Sequence, residues 1–208
     1  MIAPQFEACD GTQINLTSII PTGVNIYGVA VARLTAYGTA AASYAYTDCG
    51  GDSEEEIGWV DGANNMITDV TLKPGEGLWV TGTGITEALQ SSGAVRKEDS
   101  QVQLRLGSTP AGNPYPVAIE IQDILPEGKK GASVIGIALA KLSAYGTADA
   151  SYAFTDCGGD SEEEIGWVDG ANNMTEDVVL PGEGLWITAQ NTDQWITFPA
   201  PECLTEDK

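Results

Sequence analysis

The sequence predicts an all-β protein made of two tandem, repeated, β-sandwich-like modules. Three observations carry that expectation. Ser43–Met66, SYAYTDCGGDSEEEIGWVDGANNM, returns as Ser151–Met174 with Tyr46 replaced by Phe154 as the one change. Apolar residues come in short alternating or continuous runs punctuated by Gly, Pro, Asn and Asp, the pattern of strands and turns. No segment carries a convincing helical period, and only LTSII and IQDIL fit a single helical turn. A chain of 208 residues divides naturally into two domains of roughly 100 residues each, here residues 1–98 and 99–208.

The elements follow in order. The first module opens with APQFEACDGTQINLTSI, anchored by Ile14, Leu16 and Ile19; the second opens with TPAGNPYPVAIEIQDI, anchored by Ile119, Ile121 and Ile124. VNIYGVAVARL (Val24–Leu34) and ASVIGIALAKL (Ala132–Leu142) are apolar on both faces, as a central strand is. Gly28 and Gly136 sit inside these runs and mark a bulge or a close backbone approach. After an AYGT turn, SYAYT and SYAFT alternate, with Tyr44 and Tyr46 on one side, so each is a half-buried strand. An acidic Gly-containing turn leads to IGWV, whose Ile57 and Trp59 share a face, and Asp61-Gly62 ends it. TLKPGEGLWVTG and VLPGEGLWITA combine a Pro-Gly type II turn with a Trp-bearing strand. The second module alone closes with QWITF, one further strand. The boundary falls near Glu98–Gln101, before the strand VQLRL (Val102–Leu106).

Charge narrows the partners. Nine Lys+Arg face thirty Asp+Glu, a net charge of −21. Such a field repels nucleic acid and anionic membranes and favours cations, basic surfaces and neutral groups such as sugars. The chain has no His. The commonest general base and the usual partner of a Ser or Cys nucleophile are therefore missing, and no enzyme is expected. No run approaches the roughly 20 apolar residues of a membrane span. MIAPQFEACDG lacks a basic stretch ahead of an apolar run, so no signal peptide is expected in it.

GNPYPVAIEIQDI, the Tyr/Phe strand, the Gly-Trp strand, PGEGLWIT and the closing WITF together resemble the GNPYP/PGEGLW β-sandwich-like modules of secreted or surface-displayed bacterial proteins. The resemblance covers most of the second module and, through the repeat, much of the first, where APQFEACDG departs from GNPYP. It implies extracellular display, adhesion or structural packing, and it carries over no catalytic residue.

Four sets of residues are candidates for chemistry. Asp48, Asp52, Glu54, Glu55 and Glu56, with Asp156, Asp160, Glu162, Glu163 and Glu164, place hard oxygen ligands in Gly-containing loops, as Ca²⁺ requires. Asp61 and Asp169 lie nearby in sequence. The spacing departs from the EF-hand, and a solvated hairpin tip is the simpler reading. Trp59, Trp79, Trp167, Trp186 and Trp195 would stack on sugars if exposed, but each repeated Trp shares its strand with aliphatics, the pattern of a core. Cys9, Cys49, Cys157 and Cys203 admit three pairings; Cys9–Cys49 with Cys157–Cys203 keeps both bonds within modules, and bonds between subunits are the alternative. Paired carboxylates of the glycosidase type are abundant but sit in one polar loop, without the burial that raises a catalytic pKa.

These readings converge on a non-catalytic extracellular structural or interaction protein, a surface-displayed module or a self-assembling filament or coat subunit. Its partners would be further copies of itself or other surface proteins. A carbohydrate-binding module and a viral coat or decoration protein on the virion are the alternatives.

Overall fold

The computed structural model describes residues 6–7, 14–23, 26–36, 39–49, 57–73, 75–82, 88–90, 94–127, 136–144, 147–156, 165–190 and 194–205. The protein is mostly β. In the first copy of the repeat and the segment after it the strands are β1 (Phe6–Glu7), β2 (Ile14–Asn15), β3 (Ile20–Thr22), β4 (Ala30–Ala36), β5 (Thr39–Asp48), β6 (Ile57–Val60), β7 (Thr71–Leu72), β8 (Leu78–Thr81), β9 (Ala88–Gln90) and β10 (Ala94–Val95). The rest of the chain contributes β11 (Ser100–Gln103), β12 (Gly107–Gly112), β13 (Ile119–Glu120), β14 (Leu125–Pro126), β15 (Ala138–Ala144), β16 (Thr147–Asp156), β17 (Ile165–Val168), β18 (Val178–Val179), β19 (Gly184–Ala189) and β20 (Trp195–Phe198).

They assemble into several open sheets. The two largest run in the orders β6-β5-β4-β8 and β12-β19-β15-β16-β17. Around them lie β2-β7 and β13-β18, β3-β9 and β11-β20-β14, and the pair β1-β10. The pairings that both copies make fall in matching register. Tyr46 faces Trp59 as Phe154 faces Trp167. Ile14 faces Leu72 as Ile119 faces Val179. The long hairpins even share an irregularity, at Arg33/Leu34 and at Lys141/Leu142.

Local chemistry accounts for these elements. Both Pro-Gly turns close as expected: Glu76 N–H donates to the Lys73 carbonyl and Glu183 N–H to that of Leu180, each at 3.0 Å. Gly75 and Gly182 take the positive φ (77° and 69°) that a type II turn demands at its third residue. The two segments with room for one helical turn form 3-10 turns, Leu16–Ser18 and Ile121–Asp123. Asn15 begins the first, its side chain accepting from Thr17 N–H at 3.0 Å. The first residue of each turn and the residue that follows it, Leu16 and Ile19 or Ile121 and Ile124, are all buried.

Three expectations need correction. The second copy is not alone in its closing strand, because β9 pairs with β3 in the first copy as β20 pairs with β14 in the second. Val24–Leu34 is not one continuous strand: Ile26–Gly28 forms a 3-10 turn and the strand starts only at Ala30. There the Val29 carbonyl already accepts Tyr46 N–H at 2.8 Å, so the ladder begins as the turn ends. VQLRL breaks as well. β11 ends at Gln103, Leu104 is buried, and Gly107 at φ 90° redirects the chain into β12, leaving Leu106 exposed. A short helix, Glu202–Thr205, follows the last strand and had no periodic signal in the sequence.

Two apolar clusters result. One gathers Ile14, Leu16, Ile19, Val29, Val31, Trp59, Leu72 and Leu78; the larger gathers the second copy's counterparts with Leu104, Tyr115, Ile196 and Phe198. The copies touch at β12. Beyond its pairing with β19, this strand runs beside β4, and Ala111 bridges Glu76. Gly77 is what permits the approach, because a Cβ there would lie 2.7 Å from Ala111 N and Pro110 C.

Candidate functional site

The acidic segments occupy the tips of two hairpins. Asp48 pairs with Ile57 at the last rung of β5-β6, and Asp156 with Ile165 at the last rung of β16-β17. Asp48 and Asp156 are exposed; Asp52, Glu54, Glu55, Glu56, Asp160, Glu162, Glu163 and Glu164 lie outside the described residues. Among the described residues no group of three or more His, Cys, Asp and Glu is placed to hold a metal ion.

Asp61 and Asp169 do not belong to these tips. They sit at the opposite ends of β6 and β17, where each carboxylate organises its own loop. Asp61 Oδ1 accepts Ala63 N–H and Asn65 N–H, both at 2.9 Å; Asp169 Oδ1 accepts Ala171 N–H and Asn173 N–H, again at 2.9 Å. Asn64 and Asn172 supply the left-handed residue at φ 63° and 65°, a conformation Asn tolerates. The bonds from Asn65 and Asn173 hold both carboxyls below the usual range. These carboxylates have a structural task.

Three of the five tryptophans follow the core reading. Trp59 and Trp167 are 2% and 0% exposed. Their Nε1–H groups donate to the Ile19 and Ile124 carbonyls at 2.7 and 2.6 Å, just beyond the 3-10 turns. Edge-to-face contacts with Tyr46 and Phe154, at 5.4 and 5.2 Å between centroids, complete each site. Trp186 is buried too, and Trp79 and Trp195 are half-buried. None of the three buried rings offers a face for sugar stacking.

Several organising residues escaped the sequence reading. Glu76 accepts from Lys73 N–H at 3.1 Å and pairs with Arg33 Nε at 2.7 Å. Its counterpart Glu183 accepts from Leu180 N–H at 2.8 Å and pairs with Lys141 Nζ at 3.2 Å. Thus the E of each PGEG ties its turn to the neighbouring strand. The signal was present: Arg33 and Lys141 are the basic residue in VARL and ALAKL, repeated in register with that Glu.

GNPYP also acquires a physical meaning. Asn113 is buried and its Nδ2 donates to the Val117 and Val179 carbonyls at 2.7 and 3.0 Å, while its Oδ1 accepts Tyr115 N–H at 2.9 Å. The buried Tyr115 hydroxyl lies 2.7 Å from the Glu98 carbonyl and 3.0 Å from that of Phe198, donating between them. It ties the segment that enters the second copy to the strand that ends it. Burial pushes this phenol up to about 12. Tyr152 is buried and donates to Asp177 Oδ2; burial, then that hydrogen bond, raises it strongly.

Cys49 and Cys203 are free thiols, the first half-buried and the second exposed. Cys9 and Cys157 lie outside the described residues. Among the described residues, no helix is long and apolar enough to cross a membrane. No protein-family model, curated protein or solved structure matches the chain.

Proposed function

We propose that the chain is a non-catalytic structural or interaction protein of an extracellular or cell surface, made of two tandem β-sandwich-like modules and serving as a displayed or self-assembling subunit. The observation that carries this reading is the internal use of its chemistry. Trp59 and Trp167, Asp61 and Asp169, Glu76 and Glu183, and Tyr115 each satisfy a backbone group or brace a turn. A repeated unit whose polar residues hold its own frame is suited to bearing shape. The contact of β12 with Gly77 and β4 supports direct packing of one unit on the next. A boundary at residues 98/99 is supported by pairing, since β10 turns back to β1 whereas β11 turns forward to β20.

The test is self-association of the full chain by light scattering over a wide concentration range, in NaCl and in CaCl₂ at matched ionic strength. With −21 on the chain, like-charge repulsion opposes association at low salt, so oligomers should grow as salt screens it. A further rise specific to Ca²⁺ would support ligation at the hairpin tips. A monomer at every concentration in both salts would refute the self-assembling reading.

A further inference from the structure

We propose that the outer edge of β6, in the first copy, is a binding slot for a primary carboxamide, the group that a glutamine side chain of a partner polypeptide presents. The second copy shows the same slot filled from within. There Gln122, the middle residue of the 3-10 turn Ile121–Asp123, lays its side-chain amide against the edge of β17. Its Oε1 accepts Trp167 N–H at 3.1 Å, and its Nε2 donates to the Trp167 and Thr175 carbonyls at 2.6 and 3.1 Å. One planar group thus supplies both the acceptor and the donors that this piece of strand edge calls for.

The first copy keeps the receiving groups and differs in the residue that would fill them. Ile57–Met66 and Ile165–Met174 are identical in sequence. Tyr46 N–H donates away from β6, to the Val29 carbonyl at 2.8 Å, so the facing Trp59 turns its own backbone groups outward. The Trp59 carbonyl accepts Ile67 N–H at 2.9 Å, as that of Trp167 accepts Thr175 N–H at 3.0 Å. Thr17 stands in the middle of the first 3-10 turn, where Gln122 stands in the second. Its shorter side chain turns elsewhere, the hydroxyl donating to Asn15 Oδ1 at 2.9 Å. Among the described residues nothing accepts the Trp59 N–H.

Exposure at the slot agrees. Gly166 is buried, and a Cβ there would lie 2.6 Å from Gln122 Oε1. Gly58 is half-buried, and among the described residues its Cβ would meet only Met66 within 4 Å. Thr17 and Met66 are both exposed, so a side chain can reach this edge from solvent. A carboxylate has no donor for the carbonyls and is repelled by a chain of −21; an ammonium has no acceptor for Trp59 N–H. Ile57, two residues before Trp59, turns its backbone groups the same way, so a peptide main chain can bond beside the slot.

Proton–nitrogen NMR of the full chain tests the assignment. Propionamide, the side chain of glutamine alone, should shift the Trp59 backbone amide saturably and leave that of Trp167 unmoved; propionate should do neither. The peptide N-acetyl-Gly-Gln-Gly-methylamide should saturate the same shift at lower concentration. Thr17→Gln should abolish the Trp59 response, and Gln122→Thr should create one at Trp167. In the unmutated chain, Trp59 N–H should exchange with deuterium about tenfold or more faster than Trp167 N–H, because only the latter is held by a side-chain amide. Equal exchange at the two amides, a Trp59 response to propionate as strong as to propionamide, or one that survives Thr17→Gln would overturn the slot. A peptide that binds no more tightly than propionamide would overturn the polypeptide partner.

Discussion

Gly77→Ala probes the contact between the copies most directly. A Cβ at this position would lie 2.7 Å from Pro110 C and Ala111 N and 2.8 Å from Pro110 Cβ. Non-bonded carbon atoms rest near 3.5–4.0 Å, so the added carbon intrudes by about 1 Å. The obstructing atoms are mostly backbone of β12, which is paired to β19 along its length and cannot swing aside like a side-chain tip. Overpacking of this kind costs about 1–3 kcal/mol. Gly77 has no positive φ, so alanine is otherwise tolerated and would gain roughly 0.4–1 kcal/mol by restricting the unfolded chain. The net expectation is a loss of about 1–2 kcal/mol, together with an increase in radius of gyration as β12 is pushed from β4. Gly62→Ala is the control, since nothing lies within 4 Å of its Cβ. Urea unfolding followed by tryptophan fluorescence, with small-angle scattering on the native proteins, measures both quantities. If Gly77→Ala matches Gly62→Ala in stability and dimensions, the β12 contact does not hold the copies together.

Trp59→Phe and Trp167→Phe should each cost about 1–3 kcal/mol in urea unfolding, because each leaves a buried carbonyl, that of Ile19 or Ile124, without its donor; parental stability in both would mean that these bonds contribute nothing. Tyr115 should make the protein sensitive to alkali. Its folded pKa of about 12 stands above the usual value of about 10, so its contribution is complete below about pH 10 and is lost as pH climbs toward about 12. The stability difference between the parent and Tyr115→Phe should therefore shrink over that range, and a constant difference would sink the argument.

Much of the framework was legible in the sequence because it depends on local rules. PGEG encodes its turn through Pro and a positive-φ Gly, and SYAYT encodes a strand through alternation. LTSII and IQDIL were recognised as single turns by their length alone. What was missed depends on groups far apart in the chain. Nothing local says that the Tyr115 hydroxyl will reach residues 98 and 198, or that Glu183 will meet Lys141. The broken strand at Ile26–Gly28 was missed because an apolar run reads alike whether it is extended or wound once. For the candidate sites, the sequence identified the buried Trp but grouped Asp61 with the acidic tip; chain proximity placed together what a four-residue strand separates.

The repeat also provides a control on the origin of burial. Ser43–Met66 and Ser151–Met174 differ at one position, so their intrinsic propensities are effectively the same. Trp59 and Trp167 are equally buried, each bonded to the carbonyl just beyond its 3-10 turn. The strand paired with the Trp-bearing one, β5 or β16, behaves differently. Tyr44 is only half-buried although its identical counterpart Tyr152 is 3% exposed, and Tyr46 is half-buried where Phe154 is 2% exposed. At Tyr44 and Tyr152, which are identical, that difference cannot come from the stretch itself and must come from what surrounds it. In the second copy Leu104, Tyr115, Ile196 and Phe198 join the same cluster, supplied by the residue after β11, by the GNPYP segment and by β20. The first copy opens with APQFEACDG instead and, among the described residues, has a smaller cluster. The flanking segments, rather than the repeated Trp-bearing stretch, therefore decide how completely each copy closes its core.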